Sequence, residues 1–238
     1  MWLRQEYKPE KQRFEKTFEL EIDRSSYADR SGEGDNKLYN YKSVIKLRQS
    51  YTALGTTVWD GSIALAKMFD NRDLFPIHYL QECRVLELGA GCGLVGIYLS
   101  LLGAKMTILT DQKCCVKTVE DNVAANVTEV CRSRIKVMEY CWGKNTEDLT
   151  KDGLFHLILA AECLYSADDS MRLAQCIPKL SKSGSRIYVS MGRNRGGEGA
   201  FVKTMASQGY DCNEVPRNEL HPKYQDDVIK ILEFKCKV

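Results

Sequence analysis

Val85-Leu86-Glu87-Leu88-Gly89-Ala90-Gly91-Cys92-Gly93-Leu94-Val95-Gly96 is the stretch on which the reading of this chain turns. A strand-like run, Val85 to Leu88, enters closely spaced glycines and leaves as the apolar start of a helix. Glycine at such a turn permits backbone angles closed to other residues and lets a ligand approach the main chain. The free N–H groups at the helix start suit a carboxylate. By itself the loop is ambiguous, because Gly91-x-Gly93-x-x-Gly96 also satisfies the dinucleotide template G-x-G-x-x-G. Asp111, at the end of the next expected strand, offers a carboxylate to two ribose hydroxyls under either ligand, or an N-cap to the helix that follows.

Outward from the loop, strands and helices alternate. Strands are expected at 84–88, 105–110, 135–140, 155–161 and 186–190, and helices at 93–102, 113–126 and 169–180. Phe155 to Ala161 is nearly all apolar, as in a strand covered on both faces. After a helix near 199–207 come two strand candidates, 210–215 and 227–234, with no helix-length segment between them. Before the loop, 57–69 fits helical spacing, while Thr17 to Ile22 and Ser43 to Arg48 alternate as strands do. These two strands read as a loosely attached hairpin around a long mobile loop, 24–42. The expected fold is α/β: a Rossmann-like, seven-stranded, mostly parallel sheet with helices on both faces and an antiparallel terminal hairpin. The domains expected are an extension over 1–50 and a single catalytic-type domain over 51–238, within the size one core supports.

The composition is that of an ordinary globular chain, 44% hydrophobic and 28% charged. A net charge of +2 with no long basic run gives no support for a nucleic-acid surface. No apolar run approaches the roughly 20 residues that span a bilayer, and Met1 to Lys16 lacks the apolar core of a secretory signal. No membrane association is expected. The ten cysteines form no C-x-x-C pair and have only three histidines for company, so no metal is expected and the thiols read as reduced, small apolar residues. The expected location is the cytoplasm, with the nucleus also open.

Two features favour S-adenosylmethionine over a dinucleotide. Glu87 stands in the strand just before the loop, where a carboxylate would repel a pyrophosphate but suit a ligand carrying an ammonium and a sulfonium. Trp59 and Trp142 fall beside the expected cleft edges, where an indole can stack on adenine or help enclose a cationic methyl donor.

Six pieces then occur in order: Leu54-Gly55-Thr56-Thr57-Val58-Trp59, the glycine stretch, Thr110-Asp111, Asn122-Val123-Ala124-Ala125-Asn126, Trp142-Gly143 and Leu159-Ala160-Ala161-Glu162-Cys163-Leu164-Tyr165. In these the chain resembles the family-16 seven-β-strand protein-lysine methyltransferases. The resemblance implies a cofactor site formed by Trp59, Gly89, Ala90, Gly91, Asp111, Trp142 and Ala161, with Trp142 against the adenine and Asp111 on the ribose; Glu87 joins that site by virtue of its charge. It implies that Glu162 and Tyr165, at the carboxyl edge of the sheet, shape the acceptor channel as the catalytic pair. Many members carry Asp where this chain has Glu162. The activity implied is methyl transfer to a lysine of a protein substrate by a monomer, with Glu162 docking the incoming ammonium and Tyr165 supporting the channel wall. A protein histidine as acceptor and a catalytically silent, cofactor-binding adaptor are the alternatives. Asn122 and Asn126, four apart on one helix, read as surface or capping residues.

Overall fold

The apolar runs and the alternation around them build a seven-stranded sheet with helices on both faces. The computed structural model describes residues 17–22, 44–50, 54–192 and 196–237; the expected loop over 24–42 lies outside them. In chain order the elements are β1 (Phe18–Glu21), β2 (Val44–Leu47), α1 (Asp60–Met68), α2 (Ile77–Glu82), β3 (Arg84–Leu88), α3 (Leu94–Leu101), β4 (Met106–Asp111), α4 (Lys113–Asn126) and α5 (Glu129–Arg132). There follow β5 (Ile135–Glu139), α6 (Glu147–Thr150), β6 (Phe155–Ala161), α7 (Ala167–Leu180), β7 (Ser181–Met191), α8 (Glu198–Ser207), β8 (Tyr210–Glu214) and β9 (Lys230–Cys236).

The sheet order is β5-β4-β3-β6-β7-β9-β8. β3 pairs in parallel with β4 on one side and β6 on the other, whereas β9 runs antiparallel between β7 and β8. The strand order reverses at β3, so the carboxyl ends of β3, β4 and β6 form the crevice where open α/β sheets bind ligands. Two apolar clusters cover the sheet. One takes residues of α1, α3 and α4, and the other residues of α7 and α8. α3 is buried on every side, so its mostly apolar sequence fits its place. α7 presents one apolar face, Leu173, Ala174, Cys176, Ile177 and Leu180, and the Ser166 side chain caps it by accepting the Asp169 N–H at 3.1 Å.

β1 and β2 form a separate antiparallel pair, Leu20 opposite Ile45. The described part of this extension is not loosely attached. Ile45 and Leu47 are 0% exposed and join the cluster of α1, α3 and α4. Burying each contributes roughly 1.5–3 kcal/mol before entropy is counted, enough to hold a short hairpin down. The reason is the face of α4, whose Asn122 and Asn126 are buried and not on the surface. β7 also starts earlier than expected, at Ser181, because its pairing with β6 slips between Phe155 and Leu157. Among the described residues no helix is long and apolar enough to cross a membrane.

Candidate active site

The glycine stretch folds as its composition demands. Gly89 has φ +71° and Gly91 φ +58°, a region that L side chains rarely enter. Space excludes side chains as well. A Cβ on Gly89 would stand 2.7 Å from Cys163 Sγ and 3.1 Å from Trp142 Cζ2, and one on Gly91 would stand 2.6 Å from the Gly55 carbonyl oxygen. The Gly89 and Ala90 N–H groups both donate to the Thr110 carbonyl at 2.9 Å, which seats the loop on the end of β4.

Above this loop lies a cavity of about 430 Å³, within the range of small-molecule sites. Trp59, Glu87, Gly89, Ala90, Gly91, Asp111, Trp142 and Ala161 all line it, and so does Tyr165. The structure therefore brings together every residue expected to hold the cofactor.

Asp111 closes the end of β4. Its Oδ2 accepts the Gly91 N–H at 2.7 Å and its Oδ1 the Gln112 N–H at 2.7 Å. A carboxylate has about four lone-pair positions, and the Cys115 thiol takes a third, so the group keeps capacity for a ligand hydroxyl. Burial raises the Asp111 pKa, and the two N–H groups and the Cys115 thiol oppose the shift. Glu87, 2% exposed, accepts the Gly96 N–H at 2.8 Å, and burial pushes its carboxyl up to about 8, with the Asp111 charge adding to the rise. Two desolvated carboxyl groups at one end of a cavity favour a cationic ligand and oppose a pyrophosphate. The donor set, the bare glycine backbone and the two indoles thus fit S-adenosylmethionine and not a dinucleotide.

Glu162 sits apart from this wall. It is 3% exposed and its backbone adopts φ +59°, the left-handed region. Its Oε1 accepts the Gly61 N–H at 3.1 Å and its Oε2 the Gly192 N–H at 3.1 Å. The side chain thereby joins the start of α1 to the end of β7. Side-chain-free partners make this possible: a Cβ on Gly61 would come 2.5 Å from Oε1. Tyr165, three residues on, is 44% exposed at the mouth.

Sequence reasoning missed Asp169, Arg172 and five cysteines on the cavity wall: Cys92, Cys114, Cys115, Cys141 and Cys163. Nothing in their spacing marks them, although Cys163 lies inside the Glu162-x-x-Tyr165 segment. Cys92 is buried and its thiol is pushed up to about 12, first by burial and then by Asp111. All ten cysteines are free. Among the described residues no group of three or more His, Cys, Asp or Glu could hold a metal ion.

Among solved structures, a Thermus thermophilus 16S rRNA N2 G1207 methyltransferase shares the fold, with TM-score 0.61 at 14% identity, over 94% of this chain and 50% of that one. The glycopeptide N-methyltransferase MtfA complexed with sinefungin gives TM-score 0.58 at 12% identity, over 79% and 96%. In sequence, the mouse protein N-lysine methyltransferase METTL21A is 33% identical over 183 residues, covering 75% of this chain and 81% of that protein. The Xenopus tropicalis EEF1A lysine methyltransferase 3 is 30% identical over 179 residues, covering 74% and 76%. The family model described as lysine methyltransferase matches residues 40–208. With its sheet order, glycine loop and acidic crevice in agreement, the chain belongs to the lysine methyltransferase family.

Proposed function

We propose that this protein transfers a methyl group from S-adenosylmethionine to the side-chain amine of a lysine in another protein. The observation that carries the reading is one cavity with two unlike ends: Glu87, buried, and Asp111, half-buried, at one, and Tyr165, exposed, at the other. Family membership and the printed activity of the relatives, protein N-lysine methylation, supply the acceptor.

S-adenosylmethionine supplies the electrophilic methyl group when bound. Asp111 would hold the ribose through its hydroxyls, using the acceptor capacity that Gly91, Gln112 and Cys115 leave. Glu87 would compensate the positive charge of the amino-acid end, the backbone of Gly89 to Gly91 would receive that end, and Trp142 would hold the base. On the acceptor side the lysine must attack as the neutral amine, although its ordinary pKa is near 10.4. Once a lysine side chain enters, the rings of Trp59 and Tyr165 would cover it from water and so penalise the ammonium. Glu162 acts as a positioning residue: its carboxylate already accepts two backbone N–H groups, and it fixes the entry of α1 beside Trp59 and the end of β7 against the strand exit that carries Tyr165. The amine's proton leaves to water before attack, and rate comes chiefly from orientation.

The finer reading is a monomer acting on protein and not on nucleic acid, in the cytoplasm or the nucleus. A net charge of +2 and ten free thiols support it.

Tritium transfer from labelled S-adenosylmethionine to fractionated cell lysate tests the proposal, followed by mass spectrometry of labelled proteins. Protease-sensitive label on lysine is the expected result. Label that nuclease removes, or that maps to histidine, would overturn the acceptor assignment.

A further inference from the structure

Asn122 and Asn126 stand one turn apart on the buried side of α4 and bond the chain at β2 as a neighbouring strand would. Asn126 Oδ1 accepts the Lys46 N–H at 2.8 Å, and its Nδ2 donates to the Lys46 carbonyl at 2.8 Å. Asn122 repeats the pair on Arg48, accepting the N–H at 2.8 Å and donating to the carbonyl at 3.1 Å. Four residues of helix rise about 6.0 Å and two residues of strand about 6.6 Å, so the two spacings match. A side-chain amide both accepts and donates in one plane, as a peptide group does.

The two asparagines are not equivalent. Asn122 Nδ2 also donates to the Cys92 carbonyl at 3.0 Å, whereas the further bond of Asn126 runs to the Asn122 carbonyl within α4, at 2.7 Å. Cys92 lies between Gly91 and Gly93, both at positive φ, in the loop that underlies the cavity. Among the described residues beyond Arg48, several lie at this site. Gln49 Oε1 accepts the Val58 N–H at 2.8 Å, the Gly55 carbonyl abuts Gly91, and Trp59 enters the cavity wall. Asn122 therefore joins the hairpin's exit, α4 and the glycine loop at one amide.

We infer that Asn122 is a positioning residue for cofactor binding, through which the docked N-terminal hairpin holds the glycine loop in its binding conformation. This rests on reading the cavity as the cofactor site. Without Asn122 the Cys92 carbonyl loses a buried donor, and the loop must be ordered at the moment of binding, which weakens affinity.

The test compares Asn122→Ala with Asn126→Ala, each of which removes two bonds to the hairpin. Both variants should melt at similarly lowered temperatures. In titrations with S-adenosylhomocysteine, Asn126→Ala should bind within about twofold of wild type and Asn122→Ala about tenfold more weakly, the loss expected for one buried hydrogen bond. In turnover, Asn122→Ala should raise KM for the cofactor and keep kcat at saturation. Equal weakening in both variants, or none in either, would overturn the inference. Should Asn122→Ala fail to fold, hydrogen exchange of the wild-type chain decides: S-adenosylhomocysteine should slow the Arg48 amide more than the Lys46 amide, and equal or absent slowing overturns it. Normal cofactor binding by Asp111→Ala would instead remove the cavity reading itself. Loss of binding in Asp111→Ala with none in Asn122→Ala removes only this inference.

Discussion

The two ends of the cavity are built on opposite plans. At the end proposed for the cofactor, two desolvated carboxyl groups, Glu87 on β3 and Asp111 on β4, are each fixed by backbone N–H groups at 2.7–2.8 Å. At the end proposed for the acceptor, Tyr165 is 44% exposed, and the nearby Asp169–Arg172 pair, at 3.6 Å, lies in solvent. A site for one invariant small molecule gains from being preset and dry, because ordering is then not a cost of binding. A site that must admit a side chain carried by another protein has to stay open. Glu162 belongs to neither end; it is a buried bolt between the start of α1 and the end of β7.

Removing Asp111 should have the largest effect. Loss of its charge-assisted bonds predicts at least ~100-fold weaker cofactor binding in Asp111→Ala, measured by equilibrium dialysis. Tyr165→Ala should leave cofactor affinity and melting temperature in place and lower turnover by roughly 10–100-fold through lost orientation; weakened cofactor binding would erase the distinction between the ends. Glu162→Gln turns an NH2 toward a backbone N–H, at a cost of about 1–3 kcal/mol in stability. Thermal melts should fall together with turnover while cofactor affinity holds. An unchanged melt with lost turnover would make Glu162 a catalytic residue instead.

The smallest effect concerns protons. Glu87 has its folded pKa raised from 4.5 to about 8, so its burial weakens stability progressively as pH rises between those values. A bound ammonium favours the ionised form, so cofactor binding near pH 7 should release a fraction of a proton. Calorimetry in buffers of different ionisation enthalpy reads that release, and Glu87→Gln should abolish it. Proton uptake would place the cofactor's charge elsewhere.

What could be read in the sequence was local and repetitive. Val85 to Leu88 running into Gly89, and the apolar run of Phe155 to Ala161, announce strands whatever surrounds them, and their alternation with helices fixes the sheet class. Asp111 follows from its place at the end of the next strand. The helices at 129–132 and 147–150 are too short to show a period. Asn122 and Asn126 look like surface residues because their partners, Arg48 and Lys46, lie 74 and 80 positions away. Glu162 was legible as a motif but not as a bolt, since that role depends on Gly61 and Gly192, distant in sequence and lacking side chains.

A crystal structure of the chain with S-adenosylhomocysteine tests the assignment most directly. The ribose hydroxyls should lie within hydrogen-bonding reach of Asp111, the adenine against Trp142 and the amino-acid end over Gly89 to Gly91. A ligand bound elsewhere, or a crevice closed by the protein's own side chains, would contradict it.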